Sequence, residues 1–228
     1  MKERMSWLWR EWVRPLLVVG LVLGSLRSAI ADWNDVPSGS MKPTILEGDR
    51  VFVNKLAYDL RIPFTMTRLG RWADPGRGDI VVLISPHDGK RLVKRVVGIP
   101  GDTVELRNDR LIVNGRAATY APADARTVAS LGESRPGSAV VETETSDGRD
   151  HAVMIDPMSG SMPSFLPVKV PEGRYLVMGD NRDNSFDSRF FGFVDRDRIL
   201  GRAVAVVASV DIHNHWTPRW SRFFSPLQ

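Results

Sequence analysis

The chain has 228 residues, 43% of them hydrophobic, which is enough to bury one core with a smaller appended lobe. Its 31 Lys and Arg residues nearly balance 27 Asp and Glu residues, and neither a basic block nor a zinc-finger spacing indicates nucleic-acid binding. The absence of cysteine excludes disulfides and thiol catalysis, and the four histidines stand outside any H-E-x-x-H pattern, so we expect no metal site and no other cofactor.

The first 33 residues predict a membrane anchor. Residues 1–14 contain four basic side chains: Lys2, Arg4, Arg10 and Arg14. The uncharged run Pro15–Leu26 forms about 18 Å of helix, short of the ~30 Å hydrocarbon core of a bilayer. Extending the helix to Ala31, with Arg27 snorkelling to the interface, gives about 25 Å, which can span a locally thinned bilayer. We therefore predict a transmembrane signal anchor at 15–33, with 1–14 in the cytoplasm and the rest of the chain outside.

Two alternatives stay open for this segment. Ala29-Ile30-Ala31 matches the A-x-A cleavage site of a secretory signal peptide, which would be removed, and a buried helix of a soluble protein is the other alternative. A charged residue directly after the apolar run, Arg27, is unusual for a cleaved signal. A candidate catalytic motif also follows soon after Ala31, so a retained anchor is favoured.

After Asp35 the sequence changes to short runs rich in Val and Ile, separated by Gly, Pro and Asp. Such runs predict strands, and helical periodicity is weak beyond the anchor. The predicted strands are Arg50–Asn54, Asp79–Ile84, Leu92–Val97, Thr103–Leu106, Leu111–Val113, Arg174–Met178 and Arg202–Val210. The sequence therefore predicts a mainly β domain.

Two regions differ from this pattern. Residues 116–170 are rich in Ala, Ser, Thr, Asp and Gly, which predicts an inserted lobe or a long surface excursion. The C-terminal tail mixes aromatic residues with arginines: Trp216, Arg219, Trp220, Arg222, Phe223 and Phe224. That mixture suits a membrane interface, and a packed terminus explains it equally well.

The first candidate for catalysis is the serine-rich turn Pro37–Thr44. Gly and small polar residues surround Ser40, with a proline on either side, which suits a tight turn that presents a hydroxyl. Such clusters usually mark ordinary loops. The segment Ser159–Pro163, which contains Ser161, has nearly the same letters. It lies in the polar insert with no strand predicted after it, so we interpret it as a loop.

The second candidate is a lysine within a predicted strand. Lys94 shares a strand face with Leu92 and Val96, while Arg95 shares the other face with Val93. An arbitrary strand lysine faces water. Here, however, both charged residues have apolar neighbours, and only lysine can lose its proton on burial. Lys94 is therefore the candidate base.

The third candidate is the polar segment Gly179–Arg189, which directly follows a predicted strand. Its Asp and Asn residues resemble a calcium loop, but the sixth position is not Gly and the twelfth is not Glu, so the EF-hand pattern is not met. A network of buried polar groups that supports an active site fits the segment better.

Together with Gly48–Lys55, these stretches resemble the sequence boxes of bacterial type I signal peptidases, which are membrane-bound Ser–Lys proteases. The resemblance covers about half of the chain: 36–64, 77–115 and 170–206. It implies an antiparallel β-sheet catalytic domain in two parts, 34–115 and 171–228, with an inserted smaller lobe and one N-terminal transmembrane helix. Asp59 departs from the family, because many relatives carry Gly there, and some relatives have two spans.

The resemblance also implies roles for individual residues. Ser40 is the nucleophile and Lys94 its general base, while the Ser38 hydroxyl and the Ser40 backbone N–H form the oxyanion hole. Ser185 would hydrogen-bond the Lys94 amine. The supporting residues belong to the polar segment: Asp180, Asn184, Ser185, Asp187 and Arg189, of which the last two form an ion pair.

The chemistry implied by the resemblance is consistent with the residues. Free lysine titrates near pH 10.4, so a lysine base needs its pKa lowered by about 2–3 units, and burial supplies such a shift. From Ala31 to Ser40 the chain reaches at most about 30 Å, so the nucleophile stays near the outer membrane surface. The implied substrates are exported preproteins, cut after small residues at −1 and −3 by a monomeric enzyme of the bacterial cytoplasmic membrane.

Three alternatives remain. A self-cleaving repressor-type protease would need an N-terminal DNA-binding domain, where this chain has an apolar segment. A specialised peptidase for a single pilin or conjugation substrate would share every motif. A non-enzymatic membrane-tethered β module is disfavoured, because the residues implied in catalysis are all present.

Overall fold

The structure is a computed structural model that describes residues 7, 9–65, 67–131, 137–159 and 161–227. Its largest sheet has nine strands. In spatial order these are β1 (Ala31–Asp35), β2 (Asp49–Asn54), β16 (Ile199–Asp211), β5 (Ile80–Ile84), β6 (Arg91–Gly98), β14 (Arg174–Met178) and β15 (Val194–Asp195), while β17 (Thr217–Pro218) and β18 (Ser225–Pro226) also pair with β16.

Three smaller sheets complete the described part of the chain. They are β3 (Asp59–Arg61) with β4 (Arg68–Arg71); β13 (Phe165–Lys169), β7 (Thr103–Arg107), β8 (Arg110–Val113) and β9 (Arg116–Ala117); and β10 (Thr119–Pro122), β11 (Val140–Ser146) and β12 (Arg149–Ile155). The helices are α1 (Arg14–Ala29), which follows a π-helical turn at Trp9–Val13, α2 (Ala125–Leu131) and α3 (Ser188–Phe191). Pairing in the nine-stranded sheet is antiparallel. The prediction of a mainly β fold is therefore confirmed.

The N-terminal helix α1 ends at Ala29, and β1 begins two residues later by pairing with β2. The last residues of the predicted anchor at 15–33 therefore belong to the sheet. Large apolar side chains of α1 are exposed, including Leu16 and Leu21. Within the described residues, no helix reaches the length and apolarity that crossing a membrane requires. Lys2, Arg4 and the side chain of Arg27 lie outside the described part.

The central strands β5 and β6 are covered on both faces. Ile80 and Val82 pack with Met41 in one core cluster, whereas Val81 and Leu83 belong to another cluster on the opposite face. This explains why β5 is a continuous apolar run rather than an alternating one, because neither of its faces meets water. The two charged residues in the middle of β6, Lys94 and Arg95, are consequently both buried although they point to opposite faces of the strand.

The insert predicted at 116–170 contains a sheet of its own, β10–β11–β12, and ends in β13, which pairs with β7. The expectation that no strand follows Ser161 is therefore wrong, since β13 begins at Phe165. The insert's small apolar cluster includes Leu131, Val141 and Met154, and it is completed by Leu46 from outside the insert.

Candidate active site

Ser40 lies in a short 3₁₀ turn, Gly39–Met41, that is fixed to the body of the domain at several points. Met41 is 1% exposed and packs into the core. Asn181 holds the turn from the other side: its backbone N–H donates to the Ser40 carbonyl (3.1 Å), and its side-chain amide donates to the Gly39 carbonyl (3.0 Å). The Ser40 side chain is half-buried. Its hydroxyl is thus presented from a rigid turn.

Lys94 meets this hydroxyl from β6. Its Nζ lies 2.6 Å from Ser40 Oγ, and the lysine is 2% exposed. It stands opposite Val81 in the ladder with β5. Burial lowers the pKa of Lys94 to about 8; the negative charges of Asp187 and Asp180 oppose this shift, and Arg189 adds to it. An amine with this pKa is partly neutral near pH 7 and can accept a proton from the serine.

Gly179 has no side chain, which leaves room for Ser185 and Ser40 to lie close together. A Cβ atom built on Gly179 would lie 2.3 Å from both Ser185 Oγ and the Ser40 carbonyl oxygen. Neither distance is compatible with a side chain, and one of the two atoms belongs to the backbone. Glycine is required here for close approach rather than for an unusual backbone conformation.

The Asp187–Arg189 ion pair expected from the sequence lies next to Gly179. The two side chains meet through two hydrogen bonds of 2.9 Å and are fully buried. Burial alone would raise the pKa of Asp187, but Arg189, the Gly179 N–H and Ser185 together outweigh it, so the pKa of Asp187 is lowered. Asp187 also accepts from the Gly179 N–H at 3.0 Å. The pair therefore supports the strand end that faces Ser40.

Ser185 differs from its expected arrangement. It is buried, and its hydroxyl forms no hydrogen bond of ordinary geometry with any described residue. It lies beside the Asp187 carboxylate, where it helps to lower the pKa of that group. Lys94 contacts Ser40 rather than Ser185. Ser185 is thus close to the Ser–Lys pair without the hydrogen bond to the lysine that the resemblance implies.

Asp180 has a partner that the sequence did not suggest. Arg95, 2% exposed, binds its carboxylate through two bonds of 2.8 Å, and Thr44 Oγ1 donates to it at 2.5 Å. Arg95 and Thr44 were absent from the predicted site. The signal available was the position of Arg95 in a run of buried β-branched residues, where a permanent charge requires a carboxylate partner.

The remaining predicted residues lie at the surface. Ser38 is exposed and immediately precedes the 3₁₀ turn, and its hydroxyl makes no capping bond to that turn. Asn184 is exposed, and its backbone N–H donates to the Asn181 carbonyl, so it closes a turn rather than contacting Lys94. Ser161 contacts the Asp183 carboxylate.

Among the described residues, no three His, Asp or Glu side chains are grouped as a metal site would require.

Comparison with known proteins identifies consistent relatives. A family model described as "Signal peptidase, peptidase S26" matches residues 9–208. A signal peptidase I of Pseudomonas fluorescens is 36% identical in an alignment of 204 positions that covers 84% of this chain and 69% of the relative. Signal peptidase I P of Bacillus subtilis subsp. natto is 32% identical over 206 residues, with 90% and 92% covered. A crystal structure of a signal peptidase I from Enterococcus faecalis V583 is 34% identical, covers 57% of this chain and 97% of its own, and gives a TM-score of 0.36.

Proposed function

The chain belongs to the signal peptidase family, peptidase S26, whose members cleave signal peptides from preproteins, and on this premise we propose that Ser40 and Lys94 are its catalytic pair. The observation that carries the proposal is the 2.6 Å separation of Lys94 Nζ and Ser40 Oγ in a setting where burial brings the pKa of the lysine to about 8. Roughly a tenth of the molecules then carry a neutral Lys94 at pH 7, against fewer than one in a thousand for a free lysine.

The reaction follows from this arrangement. Neutral Lys94 takes the proton of the Ser40 hydroxyl as Oγ attacks the scissile carbonyl carbon, and the carbonyl oxygen becomes an oxyanion. The Ser38 hydroxyl and the Ser40 backbone N–H donate to that oxygen. The Lys94 ammonium then protonates the leaving amine as the peptide bond breaks, which leaves an ester on Ser40. Lys94 next takes a proton from a water that attacks the ester carbon. It returns this proton to Ser40 Oγ as the C–Oγ bond breaks and the acid product leaves.

The other buried groups hold this pair in place. Asp187 and Arg189 fix the end of β14. Arg95 and Thr44 fix Asp180, the residue before Asn181. Ser185 is proposed to contact the Lys94 amine once a substrate excludes water, since it is buried beside the pair. Asn184 takes part only through the turn that it closes.

The membrane anchor is part of the same proposal. The exposed apolar side chains of α1, including Leu16, Leu17 and Leu21, support burial of this helix in lipid. The loop that contains Phe64 lies against the helix, because its backbone N–H donates to Ser28 Oγ at 2.7 Å. Phe64 itself is 67% exposed. We place the enzyme in the bacterial cytoplasmic membrane as a monomer, with 1–14 in the cytoplasm and the catalytic domain outside.

We propose that the C-terminal tail contacts the bilayer interface through its exposed aromatic rings. Trp216, Trp220 and Phe224 are exposed. The arginines beside them are occupied within the protein, since Arg222 pairs with Asp49 and Arg219 contacts backbone carbonyls. The rings are therefore available to a bilayer interface, whereas the two guanidinium groups are not.

The direct test is cleavage of a mixed panel of preproteins by the detergent-solubilised protein, with the products mapped by mass spectrometry. We expect many preproteins to be cut once, after small residues at −1 and −3. Cleavage of only one pilin-like substrate would identify a specialised peptidase. Failure to cut any member of the panel would refute the proposed function.

A further inference from the structure

The inserted lobe is joined to the nucleophile turn through residues 180–182. Met154 on β12 accepts the Arg182 N–H (2.9 Å) and donates its own N–H to the Asp180 carbonyl (2.8 Å), which forms a parallel bridge around Asn181. Asn181 is the residue that binds the Gly39 and Ser40 carbonyls. The lobe strand β12 therefore binds the residues on either side of Asn181, while Asn181 itself binds the nucleophile turn.

A buried ion pair reinforces this connection. Arg182 reaches into the lobe, where one of its terminal nitrogens lies 2.7 Å from a carboxylate oxygen of Glu144 on β11. The two side chains are 1% and 0% exposed. The same carboxylate accepts the Tyr120 hydroxyl of β10 at 2.6 Å. All three strands of the lobe sheet thus meet the 180–182 segment, two of them through Glu144.

Glu144 is the carboxylate on which the charge of Arg182 depends. Arg182 Nε and Nη1 are buried and have no hydrogen-bond partner among the described residues. His151 Nε2 lies 3.4 Å from Glu144 Oε1. Burial, together with the charge of Arg95, lowers the pKa of His151 to about 4, so the imidazole is neutral near pH 7. The negative charge of Glu144 therefore stabilises the positive charge of Arg182. A buried cation that loses its partner is strongly destabilised.

We propose that Glu144 is a positioning residue for the peptidase reaction: through Arg182 and Asn181 it holds the Ser40 turn at the distance from Lys94 that proton transfer requires. The inference rests on the proposed function and assigns a catalytic purpose to the insert, for which the sequence suggested none. Apolar packing acts in the same direction, because Leu46, six residues beyond Ser40, completes the lobe's cluster with Leu131 and Met154.

The test compares three variants with the wild type: Glu144→Gln, Arg182→Met, and the double variant Glu144→Leu/Arg182→Met. Asp59→Asn is the matched control, because Asp59 is 2% exposed and pairs with buried Arg196 at 3.0 Å outside the lobe. For each purified protein we would measure kcat, KM, the melting temperature and the rate at which a small acylating reagent modifies Ser40, which mass spectrometry follows.

We expect Glu144→Gln to lower kcat by about tenfold to a hundredfold with KM nearly unchanged, and to slow Ser40 acylation in parallel, since a displacement of about 1 Å has effects of this size. Asp59→Asn should lower the melting temperature while kcat per folded molecule stays within about twofold of wild type. The double variant replaces the ion pair by apolar groups and should recover stability but not kcat.

Two outcomes would overturn the inference. One is a double variant with wild-type kcat and wild-type Ser40 acylation. The other is a Glu144→Gln protein whose kcat per folded molecule equals that of Asp59→Asn. Ser40→Ala separates these results from a failure of the proposed function itself. If Ser40→Ala is inactive, the catalytic pair stands whatever Glu144 does; if Ser40→Ala is active, the premise has failed.

Discussion

Lys94 Nζ and Ser40 Oγ lie 2.6 Å apart although 54 residues separate them in the sequence. Each side chain is held by its own element: Lys94 by the middle of β6, and Ser40 by a turn that Asn181 and Met41 fix. Two rigid supports therefore define the distance. Such an arrangement suits a nucleophile and base that act as a unit.

The first prediction is that Ser40→Ala and Lys94→Ala each abolish preprotein cleavage. The double variant should be scarcely worse than either single one, because removal of one member already disables the other. The measurement is kcat/KM on a preprotein, with folding checked by circular dichroism. Ser161→Ala is the matched control and should keep wild-type activity, since Ser161 contacts Asp183 rather than Lys94. Substantial activity in either folded single variant would contradict the mechanism.

The second prediction concerns the oxyanion hole. Ser38→Ala should lower kcat by about 10²–10³-fold with little change in KM, because the hydroxyl acts on charge that develops only in the transition state. Ser38→Thr retains a hydroxyl and should be milder. Neither change should move the melting temperature, since Ser38 is exposed and makes no capping bond. Equal loss of kcat in both variants would show that Ser38 matters for packing rather than for donation.

The third prediction is a pH dependence set by Lys94. In the proposed mechanism the neutral amine is the base, so kcat/KM should rise with pH through an apparent pKa of about 8 that belongs to the free enzyme. The measurement is a pH–rate profile from about pH 5 to pH 11 on a peptide with an Ala-x-Ala site. A flat profile across this range, with chemistry shown to limit the rate, would exclude a titrating lysine base.

Two further measurements use the same pH–rate profile: one on a Ser185 variant and one in the presence of a chelator. Ser185→Ala should lower activity strongly and displace the limb, because the buried Ser185 hydroxyl lies beside Asp187, whose charge opposes the lowering of the Lys94 pKa by burial. EDTA should leave the whole profile unchanged. Loss of activity on chelation, restored by zinc, would replace the Ser–Lys mechanism by metal-dependent hydrolysis.

The strands around the site could be predicted because short runs of Val and Ile indicate a strand without knowledge of the rest of the fold. Arg174–Met178 was predicted with the bounds that the structure gives, and the predicted Leu92–Val97 lies within β6. Lys94 was recognisable for the same reason, since it interrupts a run of β-branched residues. The partner of Arg95 was not predictable locally, because Asp180 is 85 residues away in the sequence.

The strands of the lobe could not be predicted for a related reason. In β11, Val140–Ser146, polar residues outnumber apolar ones, so composition alone indicated an inserted lobe or a long surface excursion. Its Glu144 is nevertheless fully buried, where Arg182 and Tyr120 both contact one oxygen of the carboxylate, Oε2. Polar strands whose burial depends on distant partners cannot be distinguished from loops by hydrophobicity.

The last prediction is that Lys94 destabilises the fold at neutral pH. The pKa of Lys94 falls from 10.5 to about 8 on folding, so between these values the unfolded chain binds more protons than the folded one. Stability therefore rises with pH from about 8 to about 10.5, and below about 8 the full penalty applies, about 3 kcal/mol. Lys94→Met keeps the length of the side chain without the charge. It should be more stable than wild type by up to this amount at pH 7.

The measurement is urea unfolding of both detergent-solubilised proteins at pH 7 and pH 10, followed by far-ultraviolet circular dichroism. Every other titrating group is common to the two proteins, so the difference between their unfolding free energies isolates Lys94. That difference should shrink at pH 10, where much of the unfolded chain has a neutral lysine as well. A difference that stays constant or grows with pH would mean that Lys94 keeps an ordinary pKa in the folded protein, and the enzyme would then lack a neutral base at physiological pH.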